Sequence, residues 1–337
     1  MYALQFQQPA QLHYIQLPIP KPAADEVVIE VAYCGICGTD LHIMAQESPS
    51  AAKVVLGHEF SGKVVSKGKN VTNIKIGDHV CIDPNNFCGA CKYCQNGQIH
   101  FCQNLNPLGV FKNGGWAQYC IAPVAQVHKM PADLPLDWGA LTEPISCIIH
   151  GWDRLQPIPQ TNSILIIGAG LIGLLWGLIL RHYGYTNIMI SETKEKRRHT
   201  ARELNFNVMD PEHIIKSVIK KNNGFNTIID CSGSCSAVEQ AVQWLNPLGK
   251  FLFFGICPQG SKINIEPFNI FQKELTFLGS VINPFTFPRA IQLISHIQIP
   301  LEKLGVRFFA LQDYEVALKT ASSGEYTKII FDIAGNS

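Results

Sequence analysis

Residues 163–173, with the sequence S-I-L-I-I-G-A-G-L-I-G, decide the fold of this 337-residue chain. Gly168, Gly170 and Gly173 form a Gly-x-Gly-x-x-Gly motif directly after the apolar run 163–167. A glycine motif between a buried strand and a helix is typical of dinucleotide-binding units. The first glycine makes the tight turn, the second lets the backbone approach a pyrophosphate, and the third lets the helix pack on the strand.

The helix after this turn is predicted over residues 171–181. Its first residues, Leu171 and Ile172, would present free backbone N–H groups to the pyrophosphate, because a helix N-terminus favours an anion. Apolar strands and helical patterns alternate from there on, which predicts parallel βαβ units and a doubly wound α/β sheet. The further strands are expected at 187–191, 227–230, 250–255 and 275–280, with a polar helix over 194–205.

A carboxylate at the end of the second strand predicts which nicotinamide cofactor is bound. Glu192 closes the run 187–191 and lies where a ribose-binding acid is expected, about 20 residues after the glycine motif. A carboxylate there accepts hydrogen bonds from a ribose diol and repels a 2′-phosphate, so NAD is favoured over NADP. The basic residues that follow weaken this preference, or they form the solvated face of a helix; they are Lys194, Lys196, Arg197 and Arg198.

The first ~140 residues have a different pattern, with short apolar runs between Gly, Pro, Asn and Asp turns, and this predicts a β-rich domain. The pattern changes near residue 143. We therefore expect three parts: a β-rich domain over 1–145, a dinucleotide-binding domain over 146–286, and a C-terminal segment over 287–337 that returns to the first domain. A length of 337 residues fits two domains.

Charge and hydropathy exclude several classes of partner. The formal net charge is +1, so no field attracts nucleic acid or an anionic membrane. The longest apolar run, Leu171 to Leu180, is too short to span a bilayer, and the N-terminus has no secretory signal pattern. We expect a soluble, cytoplasmic protein that binds neither nucleic acid nor membranes.

Four of the 12 cysteines lie close together in the sequence, within residues 88–102. Their spacing is C-x2-C-x2-C-x7-C, and four thiolates in a short loop suit a closed tetrahedral zinc site with a structural role. An iron–sulfur cluster and two disulfides are the alternatives, and the disulfides are disfavoured by the expected compartment. The four residues are Cys88, Cys91, Cys94 and Cys102.

Three further fragments carry residues that bind metals. They are G-I-C-G-T-D-L-H at 35–42, G-H-E at 57–59 and E-P at 143–144. Each is uninformative alone, because a single histidine is more often structural than a ligand. With the cysteine lobe and the glycine motif, in this order, they resemble the zinc-dependent medium-chain dehydrogenase/reductase family over essentially the whole chain, and most closely its polyol (sorbitol-type) and threonine dehydrogenase branches.

The resemblance implies a GroES-like catalytic domain joined to a Rossmann domain, and it assigns a catalytic zinc. Cys37 and His58 match the family's ligands to this ion. Glu59 matches an acid that ligates directly or exchanges with water, and Glu143 lies where liver-type enzymes have a cysteine and polyol enzymes a glutamate. Cys147, four residues after Glu143, is the alternative ligand.

Other site residues are also implied by the resemblance. Thr39 and His42 match the proton-relay positions that lead from the substrate hydroxyl to solvent. Arg197 is expected near the adenosine ribose, Ser280 near the nicotinamide amide, and Lys328 near the phosphates. Three aromatic residues either line the substrate pocket or pack in the core; they are Phe87, Phe111 and Trp116.

The implied activity is reversible hydride transfer between NAD and the secondary alcohol of a polyol or sugar alcohol, giving a ketone, with two zinc ions per chain. A threonine 3-dehydrogenase-like or 2,3-butanediol dehydrogenase-like activity is the alternative. A non-catalytic nucleotide-binding protein is a distant one, because such a protein would have lost the catalytic ligands. A homodimer or homotetramer that pairs through the edge strand 275–280 is expected from the family.

Overall fold

The computed structural model describes residues 1–219, 224–297 and 300–335. The N-terminal half is mostly antiparallel sheet, in agreement with its alternation of apolar runs and turns. Its strands are β1 (Tyr2–Gln7), β2 (Gln11–Gln16), β3 (Glu26–Gly35), β4 (Lys53–Val55), β5 (Phe60–Lys67), β6 (His79–Ile82), β7 (Tyr119–Pro123) and β8 (Val127–Lys129). Its helices are α1 (Gly38–Met44), α2 (Lys92–Gln95) and α3 (Leu136–Gly139).

The middle of the chain is a six-stranded parallel sheet in the order β11-β10-β9-β12-β13-β14, which confirms the predicted doubly wound fold. The strands are β9 (Ile164–Ile167), β10 (Ile188–Ser191), β11 (Asn207–Met209), β12 (Phe225–Asp230), β13 (Leu245–Phe253) and β14 (Thr276–Gly279). The helices are α4 (Thr142–Leu155), α5 (Leu171–His182), α6 (Glu195–Glu203), α7 (Pro211–Ser217), α8 (Cys235–Val242) and α9 (Pro267–Lys273).

The C-terminal part joins the first sheet. It consists of α10 (Phe287–Ile294), β15 (Val306–Ala310), α11 (Tyr314–Ser323) and β16 (Lys328–Asp332). The order β15-β16-β3-β5-β6-β8, with β7 also on β3, makes a seven-stranded sheet. Strand β16 runs antiparallel to β3, with Ile330 opposite Gly35. The two ends of the chain therefore build one sheet together.

The glycine motif has the geometry that its three positions require. Gly168 has φ of +100°, a conformation that residues with a side chain rarely adopt. A Cβ placed on Gly173 would lie 1.9 Å from the carbonyl oxygen of Gly168, so only glycine lets α5 start this close to β9. The turn consequently places the N-terminus of α5 at the carboxyl edge of the sheet.

Some elements differ from their predicted bounds. Strand β13 begins at Leu245, before the predicted 250, because a register shift against β12 accommodates the intervening residues. Helix α4 runs without a break across the boundary predicted between 145 and 146, so that division into domains stays a prediction. Trp116 was predicted either to line the substrate pocket or to pack in the core. It is fully buried in the core of the first domain, which supports packing.

Among the helices of the described ranges, none has the length and apolar character needed to cross a membrane.

Candidate active site

Three predicted ligands converge at the end of β3 and the start of β5. Cys37, His58 and Glu59 each offer one donor atom, and these atoms all lie within 4.8 Å of one another. Gly57 precedes the pair with φ of +89°, and a Cβ there would lie 2.2 Å from Cδ1 of Trp116. The buried tryptophan therefore leaves room only for a glycine at position 57. The turn at this glycine directs His58 and Glu59 inward.

Asp40, which the sequence analysis did not single out, holds two of these ligands. Its Oδ2 accepts the backbone N–H of Cys37 at 2.8 Å, and its Oδ1 lies 3.5 Å from Nδ1 of His58. Asp40 is fully buried. Burial alone would lower the pKa of His58, but Asp40 and Cys37 together raise it well above its ordinary value. The position of an acid three residues after Cys37, in the first turn of α1, is the signal that could have identified it.

Glu143 and Cys147 come from the first turns of α4 and line the same cavity as the three ligands. The Cys147 thiol donates to Oε1 of Glu143 at 3.3 Å. Burial raises the pKa of Glu143 to about 7, and burial together with Glu143 raises the pKa of Cys147 well above its usual range. The carboxylate is therefore the easier of the two to ionise, which favours an oxygen ligand from this helix.

Lys328 lies in a different place from the one predicted. Its ammonium pairs with the Glu59 carboxylate, and both side chains are buried. Gly35 makes this possible, because a Cβ there would lie 2.2 Å from Oε2 of Glu59 and 2.9 Å from Cε of Lys328. The structure thus places Lys328 beside the predicted metal ligands, and it is not among the described residues that line the cleft at the glycine motif.

The two predicted relay residues also line the cavity. Oγ1 of Thr39 lies 3.7 Å from the Cys37 sulfur. His42, one turn further along α1, has its Nδ1 at 2.6 Å from Oε2 of Glu47, and its side chain is 37% exposed. These positions lead from the ligand cluster to the protein surface.

The cavity beside the cluster has a volume of about 550 Å³. Both halves of the chain form its walls, since Ile172 of α5 and Ser280 after β14 line it together with Cys37, His58 and Glu59. The hydroxyl of Ser280 is buried and has no hydrogen-bond partner among the described residues. Phe87 is not on this wall; it contacts Phe285 outside it.

A second cleft, of about 270 Å³, lies at the glycine motif and contains Gly168, Gly170, Glu192 and Arg197. Oε2 of Glu192 accepts the backbone N–H of Ala169 at 2.8 Å, and Nη1 of Arg197 lies 4.0 Å from the same oxygen. Two of the other basic residues contact the C-terminal segment: Lys194, which also lines this cleft, donates to the carbonyl of Ser323, and Lys196 pairs with Glu325.

The four cysteines of the lobe converge as well. Their four sulfur atoms all lie within 4.8 Å of one another, and the sulfurs of Cys91 and Cys94 are 3.5 Å apart. All are free thiols, and the backbone N–H of Cys91 donates to the Cys88 sulfur at 3.4 Å. N–H groups of Ala90 and Cys91 lower the pKa of Cys88 to about 6. Burial and the neighbouring thiols raise the pKa of Cys94 to about 12. The convergence of four sulfurs in a short loop fits a structural zinc ion.

A buried polar network, not predicted from the sequence, lies behind the cavity. Nδ2 of Asn85 donates to Oδ1 of Asn283 at 2.6 Å, and Nδ2 of Asn283 donates to Oγ of Ser146 at 2.7 Å. Oγ of Ser146 donates to the carbonyl of Glu143 at 2.6 Å. Asp83 adjoins the network, and burial raises its pKa to about 6. The network ties the loop after β6, the segment after β14 and the start of α4 together.

The chain matches two family profiles. The Alcohol dehydrogenase GroES-like domain covers residues 23–132, and Zinc-binding dehydrogenase covers residues 172–296. D-arabinitol dehydrogenase 1 of Uromyces fabae is 30% identical, over 98% of this chain and 96% of that one. The chain belongs to the zinc-dependent medium-chain dehydrogenase family. It is a dehydrogenase with a GroES-like and a Rossmann part, as the motifs predicted.

Two further similarities bear on substrate and cofactor. D-arabitol-phosphate dehydrogenase of Enterococcus avium is 30% identical, over 96% of this chain and 94% of that one. A zinc-binding dehydrogenase of Sinorhizobium meliloti 1021, solved with bound NADP, is 32% identical with a TM-score of 0.93, over 98% of this chain and 99% of that one. Sorbitol and L-threonine 3-dehydrogenases also match, so both predicted branches of the family are represented.

Proposed function

We propose that this chain oxidises a secondary hydroxyl of a polyol or a related diol to a ketone, with NAD as the hydride acceptor and a zinc ion at Cys37, His58, Glu59 and Glu143. One observation carries the proposal: three ligand atoms converge within 4.8 Å on the wall of a cavity that residues of the dinucleotide domain complete. We therefore place the metal ligands and the nicotinamide ring in one shared cavity.

The residues fit a zinc ion in chemistry as well as in distance. A thiol, an imidazole and carboxylates are the donors that zinc prefers, and a catalytic site keeps one position open. Binding zinc would also resolve the raised pKa of Glu143, because a cation holds a buried carboxylate ionised. Zinc bound there supplies a Lewis acid that makes an alcohol hydroxyl more acidic, and NAD accepts the hydride.

The chain's own residues do the remaining work. Thr39 is placed to accept the hydroxyl proton beside Cys37, and the partly exposed His42 is placed to pass a proton to solvent. Lys328 balances the charge of Glu59 in the interior. The apolar walls exclude water, which strengthens electrostatic interactions within the cavity.

The preference for NAD over NADP rests on Glu192. Its carboxylate lies in the cleft of the glycine motif, where it would accept hydrogen bonds from a ribose diol and oppose a phosphate. The neighbour of Sinorhizobium meliloti was solved with NADP, so the fold alone does not decide between the two cofactors. In this chain Arg197 lies next to Glu192, and we assign it to the adenosine ribose and Ser280 to the nicotinamide amide.

Polyols are favoured as substrates for two reasons. Glu143 would supply an oxygen ligand at a position where polyol enzymes also have a glutamate. In addition, relatives named for arabinitol and sorbitol match this chain. L-Threonine and butane-2,3-diol are the alternatives. A screen of NAD reduction with sugar alcohols, vicinal diols, L-threonine and simple alcohols tests the proposal, and it fails if no secondary alcohol is oxidised.

We assign a second zinc to the four-cysteine lobe and therefore expect about two zinc ions per chain. Metal analysis tests this number, and a single zinc would contradict it. We also propose a homodimer or homotetramer in the cytoplasm. Strand β14 forms an edge of the parallel sheet, and two phenylalanines near it, Phe271 and Phe285, are 79% and 60% exposed. Sedimentation of the zinc-loaded protein tests the association.

A further inference from the structure

The charge of the cavity walls limits the substrate that can bind. Among the described residues that line the cavity there is no lysine or arginine, and the acidic ones are Glu59 and Glu143. The buried cation of this region, Lys328, is paired with Glu59. A zinc ion's two charges would be balanced by the Cys37 thiolate and Glu143, and His42, which also lines the cavity, pairs with Glu47. No lysine or arginine of the described lining is therefore left to bind an anion.

The remaining wall is largely apolar, with Leu105, Val110, Ile256 and Ile282 among its residues. Moving an ionised group from water to such a wall is strongly unfavourable when no partner of opposite charge is present. Relatives of both kinds exist, one named for arabinitol and one for arabitol phosphate, so family membership does not decide between them.

We propose that the substrate is an uncharged polyol or diol, and that phosphorylated polyols and amino acids are excluded. This inference rests on the proposed function and specifies its substrate class.

The test compares D-arabitol, a D-arabitol monophosphate and L-threonine with the zinc-loaded enzyme and NAD. We expect kcat/KM for D-arabitol to exceed the other two by about 100-fold or more, since an unpaired buried charge costs at least ~3 kcal/mol. Equal or better use of the phosphate or of threonine would overturn the inference and leave the proposed function standing. If none of the three, and no simple secondary alcohol, is oxidised, the proposed function itself fails.

A variant adds a direct control on charge. Leu105→Lys introduces a cation into the wall, and Leu105→Gln introduces a polar side chain without one. We expect the lysine variant to raise the ratio of phosphate to arabitol turnover by about tenfold over the glutamine variant, because one paired charge contributes roughly 1–2 kcal/mol. Calorimetric titration of both compounds into the enzyme with NADH should show the same order of affinity. An unchanged ratio in both measurements contradicts the inference.

A separate observation concerns the polar network behind the cavity. The Ser146 hydroxyl has one proton and donates it to the Glu143 carbonyl, so its oxygen must accept from Nδ2 of Asn283. Oδ1 of Asn283 then faces Asn85, which donates from its own Nδ2. The hydrogen-bond directions therefore fix the orientation of the Asn85 side-chain amide. Its Nδ2 is used by Asn283, and its Oδ1 is the atom that can accept a hydrogen bond from a ligand.

We infer that Asn85, which lines the cavity, binds a second hydroxyl of the substrate through Oδ1 and so determines specificity for diols over monoalcohols. Butane-2,3-diol and butan-2-ol are a matched pair for the test, since they differ by one hydroxyl. In Asn85→Leu we expect kcat/KM for the diol to fall about 10- to 100-fold and for the monoalcohol to change less than about threefold, which is the effect of losing one buried hydrogen bond.

A structural effect alone would reduce both rates equally, and that result would overturn the inference, as would unchanged use of the diol. Asn85→Ser is a second variant with a smaller change in volume. It should show the same selective loss for the diol, and its thermal unfolding reports whether the network behind the cavity remains intact.

Discussion

Oδ1 of Asp40 lies 3.5 Å from Nδ1 of His58, while the other oxygen of the same carboxylate accepts the N–H of Cys37. One buried acid thereby orients two residues that are distant in the sequence. Carboxylates in this position fix the histidine ring and make its other nitrogen a better ligand. We therefore expect Asp40 to act on a bound metal through Cys37 and His58.

Asp40→Asn should weaken binding of the catalytic zinc about 10- to 100-fold, which is the usual cost of losing such a partner. The amide oxygen of asparagine can still accept the Cys37 N–H, so α1 should keep its start. Competition with a chromogenic chelator measures the affinity. The zinc of the cysteine lobe serves as the internal control, and its release should not change. Unaltered affinity at the catalytic site would show that Asp40 does not support His58.

Cys91→Ser should lower the melting temperature by more than about 5 °C and remove one zinc per chain, because a structural zinc contributes folding free energy directly. Calorimetry and metal analysis on the same sample measure both. Cys257→Ser is a matched control, since the Cys257 thiol is half-buried and belongs neither to the four-cysteine lobe nor to the group of Cys37, His58 and Glu59. If the two variants melt alike, the lobe holds no structural ion.

Glu192→Gln should weaken NADH binding about tenfold and NADPH binding much less, because only the charge is removed and one oxygen can still accept the Ala169 N–H. Fluorescence titration with both nucleotides gives the two affinities. Glu192→Ala should weaken NADH further, since the glycine turn also loses its hydrogen bond. An equal loss for both cofactors would remove Glu192 from the ribose site.

Asp83→Asn should stabilise the protein more at pH 8 than at pH 5. Burial raises the pKa of Asp83 to about 6, so the folded state holds this proton more tightly than the unfolded state. The contribution of Asp83 to stability is therefore lost as the pH rises through 6. The increase in the free energy of unfolding caused by Asp83→Asn should be about 1 kcal/mol larger at pH 8 than at pH 5. Urea unfolding at both pH values measures it.

Asp78→Asn is the opposite case and serves as the control. Asp78 accepts the Lys75 N–H at 2.8 Å and pairs with Lys129 at 3.0 Å, and these partners lower its pKa. Its contribution is present above the ordinary carboxylate pKa, so this variant should lose stability at pH 5 and pH 8 alike. A gain at pH 8 for Asp78→Asn, or none for Asp83→Asn, would contradict the assignment of Asp83 as a destabilising buried acid.

The parallel sheet could be predicted because local pattern and tertiary position agree there. The run 163–167 is buried on both faces, so it is apolar throughout, and the turn at Gly168 permits few other residues. The short strands β1, β2 and β11 were not predicted. Strand β2 is largely exposed, so burial imposed no alternation on its sequence.

Cys37 and His58 were predicted through the family resemblance, because each is uninformative alone, and the structure brings them together with Glu59. Asp40 was within reach, because its spacing to Cys37 is a helix-start signal. The positions of Lys328 and Asn283 were not, since their partners Glu59 and Asn85 lie far along the chain and only the folded topology brings them together.

The pairing of β16 with β3 has a practical consequence for anyone who wishes to study the metal-binding half in isolation. A fragment that stops at residue 145 would leave Tyr33–Gly35 without neighbours on one side, and an unpaired strand of this kind invites aggregation. It would also strand the Glu59 carboxylate in the interior without its counter-ion. Both ends of the polypeptide must therefore be present before this half can be excised, swapped or grafted.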